Sequence, residues 1–115
     1  MTEQKILSFI KDNDELMLKL LKELCNIPAP SHMEEKRAEY IKAYLESLGA
    51  KGVYIDDALN VVYPYGCEGS NNITVIEAHT DTVFPDTKPM PFVEDGNILR
   101  CPGIGDDTAS VVGVL

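Results

Sequence analysis

The chain has 115 residues, of which 44% are hydrophobic and 25% are charged, a composition that is ordinary for a folded domain and argues against overall disorder. Its 19 acidic and 10 basic residues give a net charge of -9, which repels a nucleic-acid backbone or an anionic lipid surface. No apolar run approaches the roughly 20 residues that span a bilayer, so we expect neither a nucleic-acid partner nor a membrane partner.

The first quarter of the chain has the apolar spacing of helices. Hydrophobic residues recur at three- and four-residue steps between Ile6 and Leu24, and the run Asp12–Asp14 is of the kind that caps and restarts a helix. The segment Ile27–Pro30 predicts the end of this helical region, because each proline lacks an amide hydrogen and restricts the residue before it.

A second helix is predicted directly after this loop. Ser31 and Glu34 have the spacing of a capping box, in which a serine hydroxyl and a glutamate satisfy the first amides of a helix. Gly49 stands where a left-handed residue would end the helix. The predicted apolar face consists of Ala38, Ile41, Leu45 and Leu48.

The middle of the chain has the pattern of strands. Val53–Ile55 and Asn60–Tyr63 predict two short strands joined by a turn at Asp56-Asp57. The segment Ile73–Ala78 is nearly continuous in apolar and β-branched residues, which predicts a buried central strand.

The last third predicts a hairpin and the start of a helix. Phe92–Glu94 and Asn97–Leu99 flank Asp95-Gly96, a pair typical of a two-residue hairpin turn. The run Thr108–Leu115 is small and apolar and predicts two turns of a buried helix. Because it stops without a cap or a polar end, we expect the sequence to be a truncated piece of a larger domain.

The cysteines and the first residues indicate a cytoplasmic location. Cys25, Cys67 and Cys101 are an odd number and form no Cys-x-x-Cys pair, which favours reduced thiols over a disulfide framework. The start, Met1–Ile10, lacks the basic and apolar regions of an export signal.

The first candidate functional motif is His79-Thr80-Asp81, which follows the predicted central strand. Loops at the carboxyl ends of strands commonly carry the sites of α/β proteins. If extended geometry persists, His79 and Asp81 point to the same side, which suits a metal-bound imidazole whose other ring nitrogen faces a carboxylate. A lone histidine near a turn, with Asp81 as a cap, is the structural alternative, and this spacing alone favours it.

The second candidate motif is the glycine-rich run Cys101–Thr108, which ends in Asp106-Asp107. Glycine lets a backbone approach a ligand closely, and adjacent carboxylates are unfavourable unless they are solvated or neutralised by a cation. An aspartate that only caps the following helix is again the stronger alternative when this motif is taken alone.

Taken together, the motifs resemble a known family. His79–Phe84, Pro91–Gly96 and Pro102–Asp107, in this order, resemble the zinc peptidases that include glutamate carboxypeptidase, acetylornithine deacetylase, succinyl-diaminopimelate desuccinylase and the tripeptide aminopeptidases. Ile27–Glu34 and Asp57–Val62 resemble the opening helix-loop-helix and first strands of that family. The resemblance covers nearly the whole chain, and the combination is far more specific than any single motif.

The resemblance implies a fold and a domain position. Residues 1–115 would be the N-terminal portion of the catalytic, metal-binding domain, which is an α/β domain of three layers (α/β/α) and is incomplete here. The lid or dimerisation domain and the C-terminal part of the catalytic domain would be absent.

The resemblance also implies a cofactor and residue roles. Such enzymes hold two zinc ions, with cobalt as a possible substitute, bridged by an aspartate and a water. By position, His79 resembles a zinc ligand, Asp106 resembles the bridging carboxylate, and Asp81 resembles the catalytic aspartate that orients the histidine. Imidazole nitrogen and carboxylate oxygen suit zinc, which polarises a carbonyl and acidifies water. The peptide bond between Asp106 and Asp107 is often cis in this family.

Two departures from the family pattern concern residue types. Many relatives have glycine where this chain has Cys101, which we interpret as an inert small hydrophobe, and lysine where it has Thr108, a position outside the ligand set. His32 is interpreted as a surface residue. A larger departure is that the general-base glutamate and several metal ligands of the family have no counterpart here.

The function implied is a hydrolase that cleaves an amide or peptide bond next to a free carboxylate, in a small peptide or an N-acyl amino acid. Two protein ligands are fewer than the three that zinc sites use, so we expect the 115-residue chain to be inactive alone. Two alternatives stay open: a non-enzymatic product of a disrupted gene, and one half of a split enzyme. The complete enzyme would have a complementing chain or a second copy as its partner.

Overall fold

Four helices and two small hairpins make up the chain. The computed structural model describes all residues from Met1 to Leu115 and shows a mixed α/β arrangement. In chain order its elements are α1 (Glu3–Asp12), α2 (Asp14–Cys25), α3 (Glu35–Ser47), β1 (Tyr54–Ile55), β2 (Val61–Val62), β3 (Val93–Asp95), β4 (Ile98–Arg100) and α4 (Ala109–Val114). None of the helices combines the length and the apolar character that crossing a membrane requires.

The helical region breaks where the sequence predicts. The Thr2 side chain caps α1 by accepting a hydrogen bond from the Lys5 amide at 3.4 Å. Asn13 ends α1, because its amide and its side-chain Nδ2 both donate to the Phe9 carbonyl, and α2 starts at the next residue. α2 ends at Cys25, just before the prolines. The predicted cap and restart are confirmed.

The core lies between α2, α3 and α4. Its most buried apolar side chains are Leu20, Leu24, Ile41, Val111 and Val112. Complete burial of one such side chain stabilises the fold by about 1.5–3 kcal/mol, so the predicted final helix is held by its two valines. By contrast, α1 buries none of its residues.

The predicted capping box is wrong. α3 begins at Glu35, so Ser31 is too far upstream to be its N-cap residue, and no side chain caps the helix. The Glu34 carboxylate instead accepts a hydrogen bond from the His32 amide at 2.9 Å. His32 itself is exposed, as predicted.

The end of α3 is predicted correctly except for one residue. Gly49 has the left-handed φ of +91° that the predicted C-terminal cap requires. Leu48, however, is 62% exposed and does not belong to the buried face.

The first hairpin is confirmed. β1 and β2 pair antiparallel, with Tyr54 opposite Val62 and Ile55 opposite Val61. The connecting turn begins at Asp56, whose amide donates a backbone hydrogen bond to the Asn60 carbonyl at 3.0 Å.

The second hairpin is shifted by one residue from its predicted turn. Asp95 pairs with Ile98, so Gly96-Asn97 forms the turn, and the positive φ of +57° falls at Gly96, the first turn residue. The hairpin contacts α2 through Lys22, whose ammonium lies 2.7 Å from the Glu94 carboxylate.

The predicted central strand over Ile73–Ala78 is wrong for this structure. The segment pairs with no other strand, and Ile73, Val75 and Ile76 are 61%, 74% and 75% exposed. A strand needs a neighbour for its amides and carbonyls, and no other segment of the chain runs alongside. Pairing begins only beyond it, where the Thr82 amide donates to the Ala29 carbonyl at 2.7 Å.

Candidate metal centre

His79 connects the two candidate motifs. Its ring nitrogen Nδ1 lies 3.2 Å from Oδ1 of Asp81, and its Nε2 lies 3.0 Å from Oδ1 of Asp106. The three side chains named from the sequence therefore meet at one point. His79 and Asp106 are 51% and 83% exposed, so the pair faces solvent.

Asp81 is held in place from two sides. The Ser31 hydroxyl donates a hydrogen bond to Asp81 Oδ2, while Oδ1 faces the imidazole. The hydrogen bond from Ser31 is the largest cause that keeps the pKa of Asp81 below its ordinary value, and the charge of His79 adds to it. Because Thr82 is bonded to Ala29, the loop that carries Ser31 is fixed against the loop that carries Asp81.

Asp106 lies in a wide turn between β4 and α4. The turn Ile104–Thr108 closes when the Thr108 amide donates to the Gly103 carbonyl at 3.3 Å, and Asp106 and Asp107 have non-helical dihedral angles within it. The peptide bond between these two residues is cis, as the resemblance implies. Oδ2 of Asp107 accepts a hydrogen bond from the His79 amide at 3.3 Å.

The carboxylates around His79 favour its protonated form. Desolvation, the largest single cause, lowers the pKa of His79, but the hydrogen bond to Asp106 and the contacts with Asp81 and Asp107 together raise the pKa above its ordinary value. A cation that binds Nε2 must displace this proton, as metal binding to histidine generally does.

The His79–Asp106 pair fits a zinc ligand pair. Zinc binds imidazole nitrogen and carboxylate oxygen at about 2.0–2.1 Å, and tetrahedral geometry then places two ligand atoms about 3.3 Å apart. The observed separation of Nε2 and Oδ1 is 3.0 Å, close to that value. Nδ1 faces both the main-chain oxygen of Asp81 at 3.1 Å and its carboxylate at 3.2 Å, and either acceptor would fix the tautomer in which Nε2 is free to bind a metal.

The remaining acids and thiols do not extend this pair. No group of three or more His, Cys, Asp or Glu side chains is arranged to hold a metal ion. A surface cleft of about 380 Å³ lies along β3, β4 and the start of the wide turn, and its lining includes neither His79 nor Asp106. The polar pair, and not the cleft, is the candidate site.

Three residues at the site were not assigned there from the sequence. The sequence predicts Ser31 as a helix cap and Asp107 only as the neighbour of Asp106 in the second motif, and it assigns no role to Arg37. Arg37 stands on the buried face of α3 beside Ala38, where a charged residue is unusual, and this position was the signal available in the sequence. No pattern in the sequence indicates that Ser31 reaches Asp81, because the two are 50 residues apart.

The chain is similar to part of a hydrolase. No protein-family model matches it. A protein of Pyrococcus abyssi, provisionally named a LysW-lysine/LysW-ornithine hydrolase, is 41% identical over 98 residues. The match includes 85% of this chain and 27% of the relative, so the chain spans about a quarter of the length of the curated relative it matches. The name of the relative agrees with the predicted reaction type, hydrolysis.

Proposed function

We propose that this chain contributes metal ligands to a metal-dependent peptidase or amidohydrolase that cleaves an amide bond next to a free carboxylate. The observation that carries the proposal is the convergence of His79, Asp81 and Asp106, which are separated by up to 27 residues, with ring-to-carboxylate distances of 3.0 and 3.2 Å. The similarity to a hydrolase supports the same reaction type.

Each of the three residues has a distinct role in this proposal. His79 and Asp106 would hold zinc through an imidazole nitrogen and a carboxylate oxygen, and Asp106 would be the ligand shared with a second zinc ion. Asp81 holds the imidazole so that Nε2 faces the metal. Zinc, or cobalt in its place, would supply a Lewis acid that polarises the substrate carbonyl and acidifies a water. The surrounding negative charge attracts cations to the loop.

The proposed setting of this pair is a larger catalytic domain. We assign residues 1–115 to the N-terminal portion of a three-layer α/β/α domain, and the remaining ligands and the general base to residues outside these 115. Catalytic zinc sites use three protein groups, and His79 and Asp106 provide two of them. A relative named for LysW-lysine and LysW-ornithine supports a substrate that carries an amino acid.

Zinc titration of the purified chain tests the metal assignment. Calorimetry with zinc chloride should show weak binding that His79→Ala and Asp106→Asn each reduce by about tenfold or more, since each removes one of two ligands. Asp86→Asn removes the same charge as Asp106→Asn from an exposed residue that shares no hydrogen bond or ion pair with His79 or Asp106, and it serves as the matched control. Binding that is indifferent to His79 and Asp106 contradicts the proposal.

An activity assay tests the claim that further ligands are needed. With added zinc, the chain should not hydrolyse N-acyl amino acids or dipeptides. Turnover that His79→Ala abolishes would show that the two ligands suffice and would overturn this part of the proposal.

A further inference from the structure

Arg37 is a buried cation without an acidic partner. It is the third residue of α3, and only 2% of its surface is exposed. Buried guanidinium groups are normally paired with carboxylates, because an unpaired charge is costly to remove from water. Arg37 forms no ion pair. Burial lowers its pKa, and the charge of Asp81 opposes this only in part, so the burial of Arg37 needs a further explanation.

The hydrogen bonds of Arg37 supply one. Nε donates to the Ile27 carbonyl at 2.7 Å, and Nη1 donates both to the Thr80 carbonyl at 3.0 Å and to the Thr108 hydroxyl at 3.1 Å. Thr80 lies between His79 and Asp81, and Thr108 lies two residues after Asp106. A single nitrogen atom therefore joins the loop that carries the imidazole to the turn that carries the carboxylate.

The acceptor on the second loop is itself fixed. Thr108 is 1% exposed, and its hydroxyl donates to the Gly103 carbonyl at 2.9 Å while it accepts from Arg37. Gly103 begins the wide turn and Thr108 ends it, so this hydroxyl holds both ends of the segment that contains Asp106. Movement of Arg37 would displace the whole turn relative to His79.

We propose that Arg37 is a positioning residue that keeps Nε2 of His79 and Oδ1 of Asp106 at ligand spacing, an inference that rests on the function proposed above. Arg37 bonds to the backbone of one loop and to a side chain of the other, and it bonds to neither ligand atom. The rigid, planar guanidinium suits this task, since its donors have fixed directions.

Two pairs of variants separate positioning from general stability. Arg37→Met keeps the aliphatic stem and removes the donors. Ile41→Val is its control, because it thins the core on the same helix and removes no hydrogen bond to either loop. Thr108→Val removes the acceptor hydroxyl while Arg37 stays, and Thr108→Ser keeps that hydroxyl. If Arg37→Met fails to fold, the two Thr108 variants still test the proposal.

Two readouts are measured on each folded variant. The first uses the metal-free chain and records nuclear Overhauser contacts between the ring protons of His79 and the β protons of Asp106, which the 3.0 Å approach makes detectable. The second is the affinity for zinc by calorimetry.

Arg37→Met and Thr108→Val should lose the contact between His79 and Asp106 and bind zinc about 10–100-fold more weakly, as loss of a residue that orients metal ligands typically does. Ile41→Val and Thr108→Ser should retain both properties. Retention of the contact in Arg37→Met or Thr108→Val overturns the inference, and so does an equal loss in Ile41→Val.

The two proposals fail in different ways. If the chain binds no zinc at the pair and the contact is nevertheless lost only in Arg37→Met and Thr108→Val, the metal function is wrong and the positioning role stands. If zinc binds through His79 and Asp106 and Arg37→Met leaves the affinity unchanged, the positioning role is wrong and the metal function stands.

Discussion

Gly103 is the glycine at which a side chain would collide with a neighbouring residue. A Cβ built at this position would lie 2.7 Å from Cγ2 of Thr82, and φ is +79°. Thr82 cannot move away easily, because it is 2% exposed and its amide is bonded to Ala29. The requirement for glycine here therefore has two separate causes, backbone conformation and a steric contact.

Gly103→Ala should lower the free energy of unfolding by about 2–4 kcal/mol, the sum of a left-handed alanine and an overpacked contact. Gly69→Ala is the matched control, since φ is +69° there but nothing lies within 4 Å. It should cost only about 1–2 kcal/mol. Urea unfolding measures both. Thr82→Ser, which removes Cγ2, should recover part of the loss in Gly103→Ala, and equal losses in the two alanine variants would argue against the contact.

The three thiols should differ in reactivity. Cys25 and Cys101 are 2% and 8% exposed, and burial, followed by the neighbouring Cys101, raises the pKa of Cys25 to about 12. Because the thiolate is the reactive form, we expect a disulfide reagent at about pH 8 to label only the half-buried Cys67 in the native chain, and all three cysteines after denaturation. Cys67→Ser should abolish native labelling; rapid labelling of a second cysteine would contradict the burial described here.

At the scale of elements, the turn between β1 and β2 depends on one carboxylate. Oδ1 of Asp56 accepts from the amides of Ala58 and Asn60, each at 2.9 Å, and Oδ2 accepts from the Asn60 side chain at 2.9 Å. These bonds hold Leu59 at a φ of +66°, which a leucine rarely adopts. The turn is thus specified by Asp56 and Asn60 and not by glycine.

The Asp56 turn should respond to acid. The side-chain hydrogen bond from Asn60, followed by its backbone bond, lowers the pKa of Asp56 from its ordinary value of 3.8. The pKa of Asp56 is lower in the folded chain than in the unfolded chain. The ionised carboxylate therefore stabilises the fold fully at a pH above the unfolded pKa, and this stabilisation is lost as the pH falls through the folded pKa. The Ala58 and Asn60 amide shifts should report this in an NMR titration. Asp56→Ala should remove the response and loosen the hairpin, whereas Asp57→Ala should do neither.

Elements with local signals could be predicted from the sequence, and those that depend on distant partners could not. The first three helices follow from apolar spacing within ten to thirteen residues, and Gly49 marks the end of α3 by its own backbone freedom. The strand over Ile73–Ala78 has the right composition, but pairing needs a neighbour that composition does not provide. The same distinction applies at the site.

Within the site, residue types could be predicted and contacts could not. His79, Asp81 and Asp106 were identified by chemistry and by order along the chain. The hydrogen bonds from Ser31 to Asp81 and from Arg37 to Thr80 and Thr108 join residues 43 to 71 positions apart, and no local pattern encodes such distances. Ser31 was assigned to a helix cap because that interpretation uses only its near neighbours.

For the molecule as a whole, the segment Ile73–Ile76 is one of two stretches that expose several large apolar side chains, and the other is Ile6–Ile10 of α1. Contiguous exposed apolar side chains bind hydrophobic dyes and promote association. The native chain should therefore enhance the fluorescence of anilinonaphthalene sulfonate, and Val75→Thr combined with Ile76→Thr should reduce that signal. Ile98→Thr, at a 52% exposed position on β4, is the control and should have little effect. An unchanged signal in the double variant would place dye binding elsewhere.

The attachment of the β3–β4 hairpin to α2 makes one part of the molecule sensitive to its medium. Lys22 and Glu94 are 39% and 48% exposed, and the same ammonium lies 6.0 Å from the centre of the Phe92 ring. Salt screens such an exposed ion pair, since the screening length is about 8–10 Å at physiological ionic strength, whereas the apolar contacts between the helices have no charge to screen. The hairpin lies in the stretch of chain between His79 and Asp106. High salt would thus weaken the contact between this hairpin and α2, and so loosen the segment of chain that connects His79 to Asp106.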